Sequence, residues 1–135
     1  MKVKYFNLEN KRVFITGGGS GIGASIVEHF CEQKAEVYFI DINEEASNKL
    51  ISECKNKKLS IPNFIKCDLL DIKRLQSVIS KIINDKGPIE ILINNAANDE
   101  RHDIEDVTEE FWEDRMNINL KHYFFTVQSV RTAMI

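Results

Sequence analysis

The sequence predicts an α/β fold in which helices cover a doubly wound parallel sheet. Short apolar runs alternate with amphipathic stretches along the whole chain, as strands alternate with crossover helices in such folds. A glycine-rich turn joins the first apolar run to the first amphipathic stretch, and an acidic residue follows the second run. The chain has 135 residues, which is enough for one domain with one core. We therefore expect residues 1–135 to form a single domain.

Four segments have the length and composition of strands in a parallel sheet. Each is short and rich in Val, Ile or Phe, the residue types that favour strands. The predicted strands are Arg12 to Thr16, Glu36 to Ile40, Asn63 to Cys67, and Ile89 to Asn94.

Helical periodicity predicts three helices between these strands. The first runs from Gly21 to about Gln33, and the second follows Asn43, a good capping residue. The third begins after Asp71 and ends at Gly87, which is followed by a proline that cannot continue the helix. Their apolar stripes are Ile22, Ile26, Val27 and Phe30 in the first helix, Ala46, Leu50 and Cys54 in the second, and Ile72, Leu75, Ile79 and Ile82 in the third.

A last helix is predicted from Thr108 to the end of the chain. Thr108 is a capping residue, and two glutamates follow it in the first turn, where the positive end of the helix dipole favours them. One apolar face of this helix consists of Met116, Leu120, Phe124 and Val127.

Composition excludes several classes of function. The formal net charge of −3 provides no basic field for nucleic acid. No apolar stretch approaches the roughly 20 residues of a membrane span, and the N-terminus lacks the apolar core of a signal peptide, so we expect a cytoplasmic protein without membrane contact. Cys31, Cys54 and Cys67 form no CxxC pair, so we expect reduced, mostly buried thiols and no metal site.

Residues 16–23 predict an anion-binding turn. A helix N-terminus offers unpaired N–H groups and a favourable dipole, and glycine lets a phosphate come close, so a dinucleotide's diphosphate fits there. Asp41 ends the next strand, about 20 residues downstream, where a carboxylate accepts hydrogen bonds from ribose hydroxyls. It would repel a 2′-phosphate by up to about 4 kcal/mol, which favours NAD over NADP. The alternative is that Asp41 caps the second helix.

The chain resembles the short-chain dehydrogenase/reductase family, whose TGxxxGxG pattern is matched by Thr16, Gly17, Gly21 and Gly23. The resemblance covers essentially the whole chain and implies a Rossmann-like sheet with bound NAD. Further matches are Asp68-Leu69 after the third strand, Asn94-Asn95-Ala96-Ala97 after the fourth, and Met116-Asn117-Ile118-Asn119-Leu120 in the last helix. The implied cofactor-binding residues are Gly17, Ser20, Gly21, Ile22, Gly23, Asp41, Asp68, Leu69 and Asn95.

The same resemblance implies a catalytic role for Asn119, which would position a water in a proton relay inside a bent helix. The alternative is a polar residue that disfavours the helix without taking part in chemistry. Two residues depart from the family pattern, in which both positions are commonly glycine. Ala97 adds a methyl group near the nicotinamide end, and Lys34 predicts a strained or differently capped end of the first helix.

A polar loop follows the fourth strand, at the sheet edge where open α/β folds bind ligands. Its Asn98, Asp99 and His102 are candidate substrate contacts, since such a loop suits a hydroxyl-rich molecule. With the preceding Asn-Asn-Ala-Ala segment, the loop resembles that of the sugar 1-dehydrogenases of the family, which oxidise aldoses. The alternative is a solvated surface loop.

The family's catalytic Tyr-x-x-x-Lys pair is not in this sequence, since neither Tyr5, Tyr38 nor Tyr123 is followed by Lys at the fourth position. We expect an NAD-dependent oxidoreductase acting on a CH–OH group, truncated after about four strands and inactive alone. Two alternatives are a non-catalytic NAD-binding module and a remnant that binds no nucleotide. An uncovered strand edge at Ile89, Ile91 and Ile93, together with apolar residues on the last helix, predicts self-association or a partner chain.

Overall fold

The computed structural model describes residues 3–134 and contains one four-stranded parallel sheet. The strand order is β3-β2-β1-β4, which places the first strand in the interior and confirms the doubly wound α/β fold. The strands are β1 (Arg12–Thr16), β2 (Glu36–Asp41), β3 (Asn63–Lys66) and β4 (Ile91–Ile93).

Five α-helices connect and follow the strands in the described part of the chain. They are α1 (Gly21–Glu32), α2 (Glu44–Asn56), α3 (Ile72–Lys86), α4 (Glu109–Met116) and α5 (His122–Met134). A π-helical turn, Asn117–Lys121, joins α4 to α5, and short 3₁₀ turns occur at Phe6–Leu8 and Ile104–Asp106. No helix within residues 3–134 is long and apolar enough to cross a membrane.

Side-chain caps explain where three of the helices begin. Asn43 accepts a hydrogen bond from the Ala46 N–H at the start of α2, and Thr108 accepts one from the Phe111 N–H at the start of α4. Asp71 does the same at the start of α3. Each cap pairs one of the amides that an α-helix leaves free at its N-terminus, which contributes about 1 kcal/mol.

The sheet separates two apolar layers because successive side chains of a strand point to opposite faces. In β1, Val13 and Ile15 pack with α1 and α2, whereas Phe14 packs with α3 and α5. The first layer contains Val13, Ile15, Val27, Cys31, Val37, Phe39, Leu50 and Cys54, and the second contains Phe14, Tyr38, Ile40, Cys67, Leu75, Ile79, Ile82 and Val130. All three cysteines are buried, as predicted, and burial raises the pKa of each thiol.

Parallel pairing brings the carboxyl ends of the strands to one edge of the sheet. Thr16 of β1 is in register with Ile40 of β2, and Asp41 is in register with Lys66 of β3. On the other side of β1, Ile15 is in register with Ile93 of β4. The glycine-rich turn therefore lies between the residues that follow β2 and β3 and those that follow β4.

Four sequence-based expectations are wrong in detail. The apolar stripe predicted for α1 includes Ile22, but this side chain is 77% exposed at the second residue of the helix. The fourth strand is shorter than predicted, and Ile89, expected at an uncovered edge, is fully buried. The last helix is not continuous, since the π-helical turn interrupts it after Met116.

A lysine in the left-handed conformation follows each of the helices α1 and α2, although its side chain is sterically disfavoured there. Lys34 has φ 61° and Lys58 has φ 57°. After α1, the Lys34 N–H bonds to the Cys31 carbonyl and the Ala35 N–H bonds to the Phe30 carbonyl, the paired pattern in which glycine is usual. Of the expected strained or differently capped end, the structure shows a left-handed Lys34 in the position that glycine usually takes, where a side chain carries a steric cost.

Candidate cofactor-binding site

The glycine-rich turn is held tightly against the ends of β1 and β2. The N–H groups of Gly17 and Gly18 both donate to the Ile40 carbonyl, at 2.8 and 3.2 Å. Gly17 has φ 67°, and a Cβ on Gly23 would lie 1.8 Å from the Gly17 carbonyl oxygen. Since no side chain fits at Gly23, helix α1 begins in close contact with the turn.

The N-terminus of α1 is open and free of side-chain caps. Ser20 occupies the N-cap position without a side-chain hydrogen bond to the helix, and the first turn contains no acidic residue. A Cβ on Gly21, which has φ 55°, would meet no atom within 4 Å. This arrangement leaves amide donors and the positive end of the helix dipole facing open space, which fits a diphosphate.

Asp41 connects the glycine-rich turn to the start of α2. One carboxylate oxygen accepts a hydrogen bond from the Gly19 N–H at 2.8 Å, and the other accepts one from the Asn43 N–H at 2.9 Å. Helix α2 is capped by Asn43, so the alternative that Asp41 is its cap is wrong. The carboxylate is part-buried and fixed beside the turn.

Asp68 and Leu69 follow β3 at the same edge of the sheet. The exposed Asp68 carboxylate accepts a hydrogen bond from the Leu70 N–H at 2.9 Å, which fixes its direction. Leu69 is 7% exposed and packs in the layer between the sheet and α3. The first residue thus presents a polar group at the surface and the second anchors the loop.

Asn95 joins the loop after β4 to the glycine-rich turn. Its side-chain amide donates to the carbonyl oxygens of Thr16 and Gly17, at 3.1 and 3.0 Å. The backbone N–H groups of Asn95 and Ala96 both donate to the Thr16 hydroxyl, at 3.0 and 3.1 Å. The sequence places Thr16 in the glycine motif, and the structure shows that its hydroxyl also holds the loop after β4.

Asn119 lies in the π-helical turn and holds the loop after β4. Its side-chain oxygen accepts from the Asn98 N–H at 2.7 Å, and its side-chain nitrogen donates to the Asn98 carbonyl at 2.9 Å. π-Helical turns often mark functional positions in helices. The structure therefore brings Asn98 and Asn119 together, while Asp99 and Ala97 are exposed beside them.

His102 is turned against α4. Its ring stacks on Phe111 with centroids 3.9 Å apart, and the Arg115 guanidinium lies 5.1 Å from the centre of the same Phe111 ring. Arg115 also pairs with Glu100 at 3.3 Å and with its neighbour Asp114. Among residues 3–134, no group of three or more His, Cys, Asp or Glu side chains could hold a metal ion.

Sequence reasoning missed the contribution of α5 to this region. The Thr126 hydroxyl donates to the Asn94 side-chain oxygen at 2.7 Å, and the Tyr123 hydroxyl donates to the Ala96 carbonyl at 3.0 Å. The two hydroxyl side chains lie three residues apart and so share a face, but α5 carries other polar side chains such as Gln128, Ser129 and Arg131, so this spacing alone does not predict the contacts.

Comparisons with known proteins agree with this geometry. The family described as short chain dehydrogenase matches residues 11–135. D-xylose 1-dehydrogenase of Caulobacter vibrioides is 42% identical over 130 residues, which are 96% of this chain and 50% of that protein. A probable galactose dehydrogenase, GalD, of Rhizobium meliloti is 39% identical over 95% of this chain and 50% of its own length. The chain thus spans about half the length of these curated relatives.

Solved structures share the fold. Thermoplasma acidophilum aldohexose dehydrogenase superposes with a TM-score of 0.81 at 24% identity, covering 96% of this chain and 46% of that one. An NADH-dependent reductase complexed with NAD superposes with a TM-score of 0.83 at 22% identity, covering 94% of this chain and 53% of that one. The family match, the glycine-rich turn and the parallel sheet lead to one conclusion: the chain belongs to the short-chain dehydrogenase family.

Proposed function

We propose that this chain is the cofactor-binding portion of an NAD-dependent oxidoreductase that acts on the CH–OH group of an uncharged sugar or polyol. The observation that carries the proposal is the placement of the Asp41 carboxylate beside an open, uncapped helix N-terminus. The helix terminus suits the diphosphate, and the carboxylate suits a ribose with both hydroxyls free.

The preference for NAD over NADP follows from charge. A 2′-phosphate on the adenosine ribose would lie near Asp41, with a repulsion of up to about 4 kcal/mol at 4 Å. Residues 42 and 43, which follow it, are Ile and Asn, and neither is a cation that could offset this repulsion. The relatives include an NAD-dependent glycerol dehydrogenase of Listeria innocua, 30% identical over 98% of this chain and 50% of that protein.

Asp41→Asn tests this assignment, because asparagine removes the charge and keeps one side-chain oxygen, which can accept from either the Gly19 or the Asn43 amide. By calorimetry, the wild-type chain is expected to bind NADH more tightly than NADPH. The variant should reduce the ratio of the two dissociation constants at least ~10-fold.

Asp85→Asn is the matched control, since Asp85 is exposed near the C-terminal end of α3, away from the glycine-rich turn. It should leave the ratio unchanged. A wild-type chain that binds no NADH would contradict the proposed function, whereas an unchanged ratio in Asp41→Asn would contradict only the role of Asp41.

An uncharged substrate is supported by the acidic character of residues 99–115. This stretch contains nine carboxylate side chains and two arginines, whereas the whole chain has a net charge of −3. Its negative field at the β4 side of the site would disfavour sugar acids and sugar phosphates. Two of the most similar relatives are named for uncharged sugars, D-xylose and galactose. We therefore expect an oxidoreductase that contains this chain to form NADH faster with such aldoses than with gluconate.

The proposed roles of the remaining residues follow the family pattern. Asn119 serves catalysis from the π-helical turn, and Asn98, Asp99 and His102 belong to the substrate loop. The two hydrogen bonds between Asn98 and Asn119 support placing this pair in one site. The stacking of His102 on Phe111 supports a role for His102 in ordering the loop. We place the reaction in the cytoplasm, whose reducing conditions suit three free, buried cysteines.

We also propose that the protein self-associates through α4 and α5. Five apolar side chains at helical spacing form a continuous face, which we call the apolar stripe, and each is between 41% and 64% exposed. The apolar stripe consists of Trp112, Met116, Leu120, Phe124 and Val127. Contiguous exposed apolar surface of this kind is typical of protein–protein contacts.

A further inference from the structure

Almost every peptide group in the segment from Asn94 to Asn98 forms a hydrogen bond. Amides 95 and 96 donate to the Thr16 hydroxyl, and both backbone polar groups of Asn98 bond to the Asn119 side chain. Between these two attachments lies the peptide that joins Ala96 to Ala97. Its carbonyl oxygen accepts a hydrogen bond from the Tyr123 hydroxyl at 3.0 Å.

This hydrogen bond determines which way the peptide faces. The structure has no cis peptide bond among the described residues, and in a trans peptide the C=O and N–H groups point in opposite directions. With the Ala96 carbonyl directed at α5, the Ala97 N–H is directed away from α5. Ala97 itself is exposed in the loop that follows β4.

The sheet order places this peptide under one half of a bound dinucleotide. Asp41 and Asp68 follow β2 and β3, on one side of the glycine-rich turn, and the Asn94 to Asn98 segment follows β4 on the other side. A dinucleotide whose diphosphate rests on α1 and whose adenosine half reaches Asp41 must extend its nicotinamide half toward β4.

We infer that Tyr123 is a positioning residue for the nicotinamide half of the cofactor, because its hydroxyl orients the Ala96–Ala97 peptide beneath that half. This inference rests on the proposed NAD site. The backbone of Tyr123 is also held: its carbonyl accepts from the Asn94 side-chain amide at 3.4 Å and lies 2.9 Å from the Thr126 hydroxyl oxygen. Its ring meets the buried ring of His122 edge to face, with centroids 4.3 Å apart.

A purely structural role for Tyr123 makes a different prediction. If the hydroxyl only attached α5 to the sheet, its removal would lower stability and would affect all nucleotides equally. If it orients the peptide, its removal weakens ligands that contain the nicotinamide half and spares those that lack it. NADH and ADP form such a pair, since ADP ends at the diphosphate.

The test is titration of the Tyr123→Phe chain with NADH and with ADP by calorimetry. The dissociation constant for NADH is expected to rise by about fivefold to tenfold, the effect of one misplaced hydrogen bond, while that for ADP changes less than about twofold. Tyr38→Phe is the matched control. It removes a comparable hydrogen bond, from the Tyr38 hydroxyl to Glu36 at 2.6 Å, at the amino end of β2 and away from the carboxyl ends of the strands.

Urea unfolding of both variants separates stability from binding. Both are expected to lose stability, but only Tyr123→Phe should change the ratio of the NADH and ADP dissociation constants. An equal loss of affinity for both ligands, or no change in either, would overturn the inference while the NAD site stands. A wild-type chain that binds neither ligand would instead overturn the proposed function, and the role of Tyr123 with it.

Discussion

His122 shows how one residue connects burial with titration. Its side chain is fully buried, and neither ring nitrogen has an aligned hydrogen-bond partner in the described part of the chain. Burial lowers the pKa of His122, and the nearby Ile118 carbonyl opposes this only in part. The folded protein therefore holds the ring neutral, at the junction of the π-helical turn with α5.

Stability is expected to fall on mild acidification because of His122. Below about pH 6.5, the ordinary histidine pKa, the unfolded chain binds a proton that the folded protein does not, so the free energy of unfolding decreases as pH falls. This contribution is fully present above that pH and is lost toward the lower pKa of the folded state. Urea unfolding at about pH 7.5 and about pH 5.5 measures it.

His122→Phe should make the stability less dependent on pH over this range. His29→Gln is the control, since His29 is exposed on α1 and should leave the wild-type dependence in place. An equally steep dependence in His122→Phe would show that another group is responsible.

The sequence predicts the site residues that belong to a local motif, but it does not predict those that reach the site through contacts with distant parts of the chain. Gly17, Gly23 and Asp41 stand at fixed spacings around a strand–turn–helix unit, so their neighbourhood follows from the sequence. Tyr123 and Thr126 contact residues about 30 positions earlier, and no local pattern reports such a pairing. The burial of His122 likewise depends on how α5 packs against the sheet.

At the scale of elements, the strands and helices follow from periodicity, but their interruptions do not. Strand β1 has its predicted bounds, because a run of apolar residues between polar ones defines both ends. The π-helical turn adds one residue to the helix but hardly changes the spacing of the apolar residues. The local signal for it is the pair of asparagines, Asn117 and Asn119, since asparagine disfavours helix interiors. Strand β4 is short because its bounds are set by pairing with β1 and not by its own composition.

The ends of α1 and α2 provide a prediction at this scale. A left-handed conformation costs a non-glycine residue about 1 kcal/mol, so Lys34→Gly is expected to raise the free energy of unfolding by about 0.5 to 1 kcal/mol. The exposed pair between Lys34 and Glu9, 3.3 Å apart, contributes little that would be lost. Thermal or urea unfolding measures the difference.

Lys49→Gly is the opposite control, since Lys49 is exposed in the interior of α2. There, glycine should lower stability by about 1 kcal/mol. Destabilisation by Lys34→Gly would mean that the left-handed position is not strained.

At the scale of the whole molecule, the two sides of the sheet are unequally covered. Helices α1 and α2 bury one apolar layer, whereas α4 and the outer side of α5 leave the apolar stripe exposed. Strand β4 also has no partner on its outer side within residues 3–134. Residues 3–134 therefore expose an apolar surface and an unpaired strand edge, two features on which the proposed self-association rests.

Phe124→Glu is expected to weaken self-association, because it places a charge at the most exposed side chain of the apolar stripe. Sedimentation velocity over a concentration series measures the effect, and the apparent association constant should fall at least ~10-fold. Phe6→Glu is the matched control, since Phe6 is 82% exposed in the N-terminal 3₁₀ turn, outside the stripe. A monomeric wild-type chain, or equal effects of both variants, would contradict the proposed contact.

Each apolar layer of the core contains at least one buried cysteine, so the reactivity of these thiols measures how often each layer opens. Cys31 and Cys54 lie in the layer with α1 and α2, and Cys67 lies in the layer with α3. A thiol that is buried and kept protonated reacts with an alkylating reagent only after its surroundings separate. Modification rates at the three positions, followed by mass spectrometry, would thus distinguish concerted opening of the molecule from the peeling away of a single helical layer.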